Sequence, residues 1–227
     1  MSMTFANTAK ASTLTFDFAT QFSNGTLPGG PAPWVRATFD DAPSGGFALP
    51  GANMRLTINT GGLTGSEFIT ETDFNINPLL AGITLQVVAQ ISGTPGILNS
   101  FNTGVNAFQA DGDGIYDLTF LFSSNPPRLG ANQTAVFDLK FSNTIHASDF
   151  NFLAAPGGGS GPFFAASHLQ GIGSTGALST WIADSTAPCP DCVINPVIGG
   201  SVPEPGSLFL LGTGLLGFAR VIRKRLM

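Results

Sequence analysis

The segment Asp111-Gly112-Asp113-Gly114-Ile115-Tyr116-Asp117 is the densest run of chemically capable side chains in the sequence. Three carboxylates at relative positions 1, 3 and 7, separated by glycines that permit a tight wrap, suit Ca2+, a hard cation that takes oxygen ligands. An EF-hand loop would place glycine at position six and a bidentate glutamate at position twelve; Tyr116 and Phe122 stand there instead. The competing reading is an Asp-Gly turn that feeds a strand over residues 116–122. Asp111, Asp113 and Asp117 are therefore candidate calcium ligands that lack the bidentate member.

Cys189-Pro-Asp-Cys192 offers sulfur chemistry. In an exported chain two cysteines at this spacing read as a disulfide closing a very short loop. Free or intermolecular thiols are the alternative. A redox CxxC would need a helix N-terminus to lower the thiol pKa, and the prolines at 188, 190 and 196 oppose a helix. Zinc would need two further ligands, and His146 and His168 are the only histidines. The literal GxGxxG of Gly171–Gly176 precedes a strand-like rather than a helical segment, so it reads as a loop and not as a dinucleotide cradle. There is no G-x-S-x-G elbow, and an extended strand would put His146 and Asp149 on opposite faces. Nothing in the sequence selects one carboxylate pair for glycoside hydrolysis. No catalytic residue is assigned, and the chain reads as non-enzymatic.

The elements that must carry these residues have a period of two. Leu14, Phe16 and Phe18 alternate with Thr13, Thr15 and Asp17; Met54, Leu56 and Ile58 alternate with Arg55, Thr57 and Asn59; Phe137, Leu139 and Phe141 alternate with Asp138, Lys140 and Ser142. Further strands are expected over residues 34–39, 68–76, 83–91, 116–122, 145–152, 163–169 and 178–182. Clusters of Gly, Pro, Asn and Asp separate them. Short alternating strands with one apolar face predict an all-β, antiparallel, jelly-roll-like β-sandwich over residues 12–187. No repeat of constant period suggests a solenoid. The 20 phenylalanines supply large core side chains with no polar atom to satisfy.

Composition narrows the class further. Only 10% of the 227 residues are charged, which excludes coiled coils and long solvated helices, while 43% are apolar, enough to bury a core. Nine basic against 14 acidic residues argue against nucleic-acid binding. The charge is also divided: Arg220, Arg223, Lys224 and Arg225 crowd the last eight positions, behind an acidic body. Between them, residues 207–222 form an apolar run of about 24 Å as a helix, short of the ~30 Å hydrocarbon core. Snorkelling of Arg220 and local thinning make such a span tolerable. The run lacks a polar face and ends in cations, so a single C-terminal transmembrane helix is expected, with the basic end cytoplasmic and the body outside.

Val202, Pro203, Glu204 and Pro205 followed by this apolar stretch and the Arg-rich end resemble the PEP-CTERM sorting signal, a tail also labelled as an ice-binding protein C-terminal type. The resemblance covers residues 203–227. It implies recognition at Pro203-Glu204-Pro205 by a membrane-bound exosortase-type enzyme and removal of the tail. A Gram-negative, exopolysaccharide-producing host with a cell-surface or biofilm-matrix destination follows from the same resemblance. Residues 150–161 and 165–173 are similar to segments of bodies that carry this tail, and no activity accompanies that similarity. Ice binding would need regular threonine rows, which are not seen.

Residues 1–11 read as a signal-peptide remnant or a frayed terminus. Ala9-Lys10-Ala11 fits a small-x-small cleavage site, but no apolar segment precedes it. Residues 188–202 read as a Cys-containing linker. The expectation is an exported surface or matrix protein, passing through an inner-membrane intermediate held by its C-terminal helix and associated with exopolysaccharide. A calcium-dependent carbohydrate-binding module and a secreted polysaccharide hydrolase are the alternatives.

Overall fold

Leu14, Phe16 and Phe18 fall on one face of an extended segment and are all buried, which sets the pattern for the body. The computed structural model describes residues 13–80, 82–111, 114–159 and 161–186. Its strands are β1 (Thr13–Phe18), β2 (Thr20–Gln21), β3 (Val35–Asp40), β4 (Met54–Asn59), β5 (Phe68–Phe74), β6 (Leu85–Ser92) and β7 (Leu98–Ala110). They continue with β8 (Gly114–Phe122), β9 (Leu129–Gly130), β10 (Thr134–Phe141), β11 (Ala155–Pro156), β12 (Ala165–Ile172) and β13 (Leu178–Asp184). A 3-10 turn, Ala147–Phe150, lies between β10 and β11.

The described residues form an all-β fold, with two curled antiparallel sheets. The smaller has the order β1-β3-β4-β10-β6; the larger runs β11-β8-β5-β12-β13-β2, with β7 on β8 and β9 on β5. Phenylalanines join the two layers. Phe74 of the larger sheet lies 5.4 Å from Phe16 and 4.9 Å from Phe39 of the smaller, and Phe122 lies 6.2 Å from Phe137. Phe150, delivered by the 3-10 turn, stacks on Phe39 at 3.8 Å. These tilted, edge-on and stacked rings fill the interlayer space with side chains that bury large areas and need no hydrogen-bond partner.

A second apolar cluster covers the opposite face of the larger sheet. Ala166 and Ala183 lie under Ala110 and Tyr116 from the β7–β8 hairpin, with Phe22 and Phe163 beside them. Central strands of this sheet are thus buried on both faces, and β12 shows a nearly continuous buried run instead of strict alternation.

Two expectations need correction. Residues 145–152 do not form a strand: His146 N–H donates to Asp149 Oδ2 and Asp149 N–H to the His146 carbonyl, closing a turn that the polar side chains of this segment favour over a ladder. His146 and Asp149 are therefore local capping partners and not opposite-facing strand residues. The 13-residue β7 was not expected, because its apolar residues do not alternate. The expected helix within residues 203–227 lies outside the described residues, as do residues 1–11 and the linker 188–202; among the described residues no helix is long and apolar enough to cross a membrane.

Candidate functional site

Strand parity and register assemble a polar cluster on the larger sheet, on the face turned away from the smaller one. Phe74 and Thr72 of β5 point inward, so Glu71 and Asp73 share the other face. The ladder sets His168 of β12 opposite Glu71, Trp181 of β13 opposite His168, and Thr119 of β8 opposite Asp73. His168 and Trp181 stack at 4.9 Å, and His168 Nδ1 is 2.9 Å from Thr70 Oγ1.

Asp73 has no exposed surface, and neither of its carboxylate oxygens has a hydrogen-bond partner. Burial, then the neighbouring Glu71 carboxylate, pushes its pKa well above the usual range, and the nearby Thr119 hydroxyl opposes the shift only in part. Glu71, half-buried, is also raised by burial, partly offset by the Thr119 hydroxyl 3.5 Å from Oε1. Burial lowers the His168 pKa, and the Asp111 carboxylate partly offsets this. Burial thus disfavours the charged form of each of the three groups. Its sequence signal was present: Phe68-Ile-Thr-Glu-Thr-Asp-Phe74 places two acids two residues apart in a strand. The burial of Asp73 is a tertiary property that pattern alone did not reveal.

Of the candidate calcium residues, Asp111 and Asp117 lie among the described residues. Asp111 sits at the end of β7 with φ 45, in the hairpin turn next to His168. Asp117 lies within β8, where Oδ2 accepts the Ile76 N–H at 3.0 Å and Oδ1 the Asn106 N–H at 2.8 Å. Residues 104–107 of β7 stand opposite the single residue Asp117, and that carboxylate anchors the bulge. Asp113 lies outside the described residues. Among the described residues no three His, Cys, Asp or Glu side chains come together to hold a metal ion.

Two depressions open beside these strands. A groove of about 460 Å3 is lined by Asn77, Leu80, Thr103, Val105 and Phe152, with Asp117 in its wall. Val105 is 78% exposed at its rim. A more polar cleft of about 370 Å3 lies among Phe68, Ser124, Arg128, Gln170 and Ser179. One wall of that cleft is the end of β12 and the turn after it: Gly171 is the bulge residue of β12, Gly173 and Gly176 lie in the turn, and all three have positive φ. The GxGxxG therefore spans a strand bulge and the hairpin turn that follows it, between antiparallel strands. A Cβ on Gly171 would meet the Ser66 carbonyl oxygen at 2.1 Å, which explains glycine there.

Val202, Pro203, Glu204, Pro205, Arg220, Arg223, Lys224, Arg225, Cys189 and Cys192 lie outside the described residues. Comparison with known families identifies the end of the chain: the PEP-CTERM protein-sorting motif matches residues 201–224. The motif marks an exported protein that is sorted through the membrane to the cell surface by an exosortase-type enzyme. No curated protein and no solved structure matches the chain.

Proposed function

We infer that this chain is a non-enzymatic surface or extracellular-matrix protein whose jelly-roll-like body associates with exopolysaccharide after exosortase-type sorting. The C-terminal helix would hold the inner-membrane intermediate before the tail is removed. The carrying observation is the surface of β7. Asn99, Ser100, Asn102, Asn106 and Gln109 are exposed there, and no Asp, Glu, Lys or Arg occurs from Phe74 to Ala110. Uncharged amides and hydroxyls can exchange hydrogen bonds with sugar hydroxyls without first stripping water from an ion.

Asp73 supports binding over hydrolysis. A general acid must come within hydrogen-bond reach of the glycosidic oxygen, and Asp73, whose pKa burial pushes well above the usual range, exposes none of its surface. A calcium-dependent module is the second reading, and there Ca2+ would have to displace two backbone amides from Asp117. Co-sedimentation of the exported protein with its host's exopolysaccharide, with and without a chelator, tests both. Binding that survives chelation is expected. Binding abolished by chelation would favour the calcium reading, and no binding at all would overturn the matrix role.

A further inference from the structure

Four basic residues lie among the described residues, and two of them are neutralised in place: Arg36 pairs with Asp17 and Arg55 with Asp138. Arg128 is the arginine left without a carboxylate partner among the described residues. Its Nε donates to the Ser124 carbonyl at 2.6 Å, and its guanidinium lies 4.2 Å from the centroid of the buried Phe68 ring. These two contacts fix the plane of the side chain, so little rotamer freedom remains to be lost on binding. They also leave the Nη1 and Nη2 donors uncommitted. Glu67, which immediately precedes β5, is turned elsewhere, accepting the Gly29 and Thr64 N–H groups at 2.7 Å each.

Arg128 lines the cleft of about 370 Å3, together with Gln170, Ser124 and Ser179, residues that carry an amide and two hydroxyls. That volume lies within the ordinary range for small-ligand pockets, ~300–1,000 Å3. A planar, pre-oriented cation with two parallel donors matches a carboxylate, and the flanking amide and hydroxyls match ring hydroxyls. We propose that the Arg128 cleft binds the carboxylate of an acidic sugar unit, a uronate, within a polysaccharide. This rests on the matrix reading above and names the sugar class that the body would hold.

Affinity electrophoresis of the full chain in gels containing polygalacturonate, or the same polymer methyl-esterified, separates the charge from the sugar. The wild-type chain is expected to be retarded by the free acid and not by the ester. Arg128→Gln should weaken retardation at least tenfold, and Arg128→Lys should recover only part of it, because an ammonium is not a fork. Because Arg128 also packs on Phe68, Ser179→Glu serves as a second variant. It supplies a competing carboxylate from an exposed position and should abolish retardation with an unchanged melting temperature. Equal retardation of wild type and both charge variants, or none by polygalacturonate, would overturn the cleft assignment. If co-sedimentation with the native polysaccharide persists in that case, the matrix reading stands without it; if both fail, the matrix reading falls too.

Discussion

Arg55 and Asp138 face each other as register partners on β4 and β10, with Arg55 Nε 2.8 Å from Asp138 Oδ1. Both belong to the outward face of the smaller sheet, yet the Asp138 side chain exposes no surface because the loop ahead of β4 folds over it. Ala48 and Leu49 donate their N–H groups to Asp138 Oδ2, and Arg55 Nη2 donates to the Gly46 carbonyl. The ion pair is therefore a clasp that ties a loop to a sheet.

Removing the carboxylate should open that clasp. Burial alone would raise the Asp138 pKa, but the Arg55 hydrogen bond and the two amides outweigh it and hold the group below its usual value. A depressed pKa contributes stability above the unfolded value of about 3.9, and that stability is lost as pH falls through the folded pKa. Asp138→Ala should cost about 3–5 kcal/mol at pH 7, since it strands a mostly buried cation and two amides. Urea unfolding at pH 7 and pH 3 checks this, with the gap between wild type and variant narrowing at the lower pH.

Asp73 has the opposite sign. Its folded pKa is raised, so its contribution is fully present below about pH 3.9 and is lost as pH rises through the folded value. Asp73→Asn keeps the shape and removes the ionisation. The variant should gain stability relative to wild type as pH climbs from 4 to 8, giving a shallower pH dependence in thermal melts. A wild-type melting profile already flat over that interval would contradict the buried, unpartnered carboxylate.

Much of the sandwich could be read from alternation, because Leu14/Phe16/Phe18, Met54/Leu56/Ile58 and Phe137/Leu139/Phe141 each need one buried face. Two features could not. The segment 98–110 mixes Phe101, Val105 and Phe108 with amides at irregular spacing because its bulge at 104–107 breaks the parity, so nothing marked it as a strand. Residues 145–152 carry enough apolar side chains for a strand, but the local His146–Asp149 hydrogen bonds take the backbone first and place Phe150 on Phe39. The Glu71/Asp73 pair was visible as spacing and silent about burial, because the strand that neighbours β5 there, β8, comes from more than thirty residues away. The Arg128 cleft joins β5, the segment before β9 and the β12–β13 turn, a long-range juxtaposition with no local signature.

The sorting motif makes a prediction independent of the body. Proline fixes its own φ and biases the residue before it away from helix, so the sequence Pro203-Glu204-Pro205 favours the extended backbone that a processing enzyme requires. Replacing these three residues by alanine should leave full-length protein in the membrane fraction, read by immunoblot as loss of the shorter mature form. Unchanged processing would count against recognition at this motif.

The most direct measurement follows the mature chain in its host, comparing cells that make exopolysaccharide with cells in which its synthesis is deleted. A protein sorted to the surface and held by the polysaccharide should sit in the matrix fraction of the first and in the culture medium of the second. Equal partition in both strains, or retention inside the cell in both, would contradict the account.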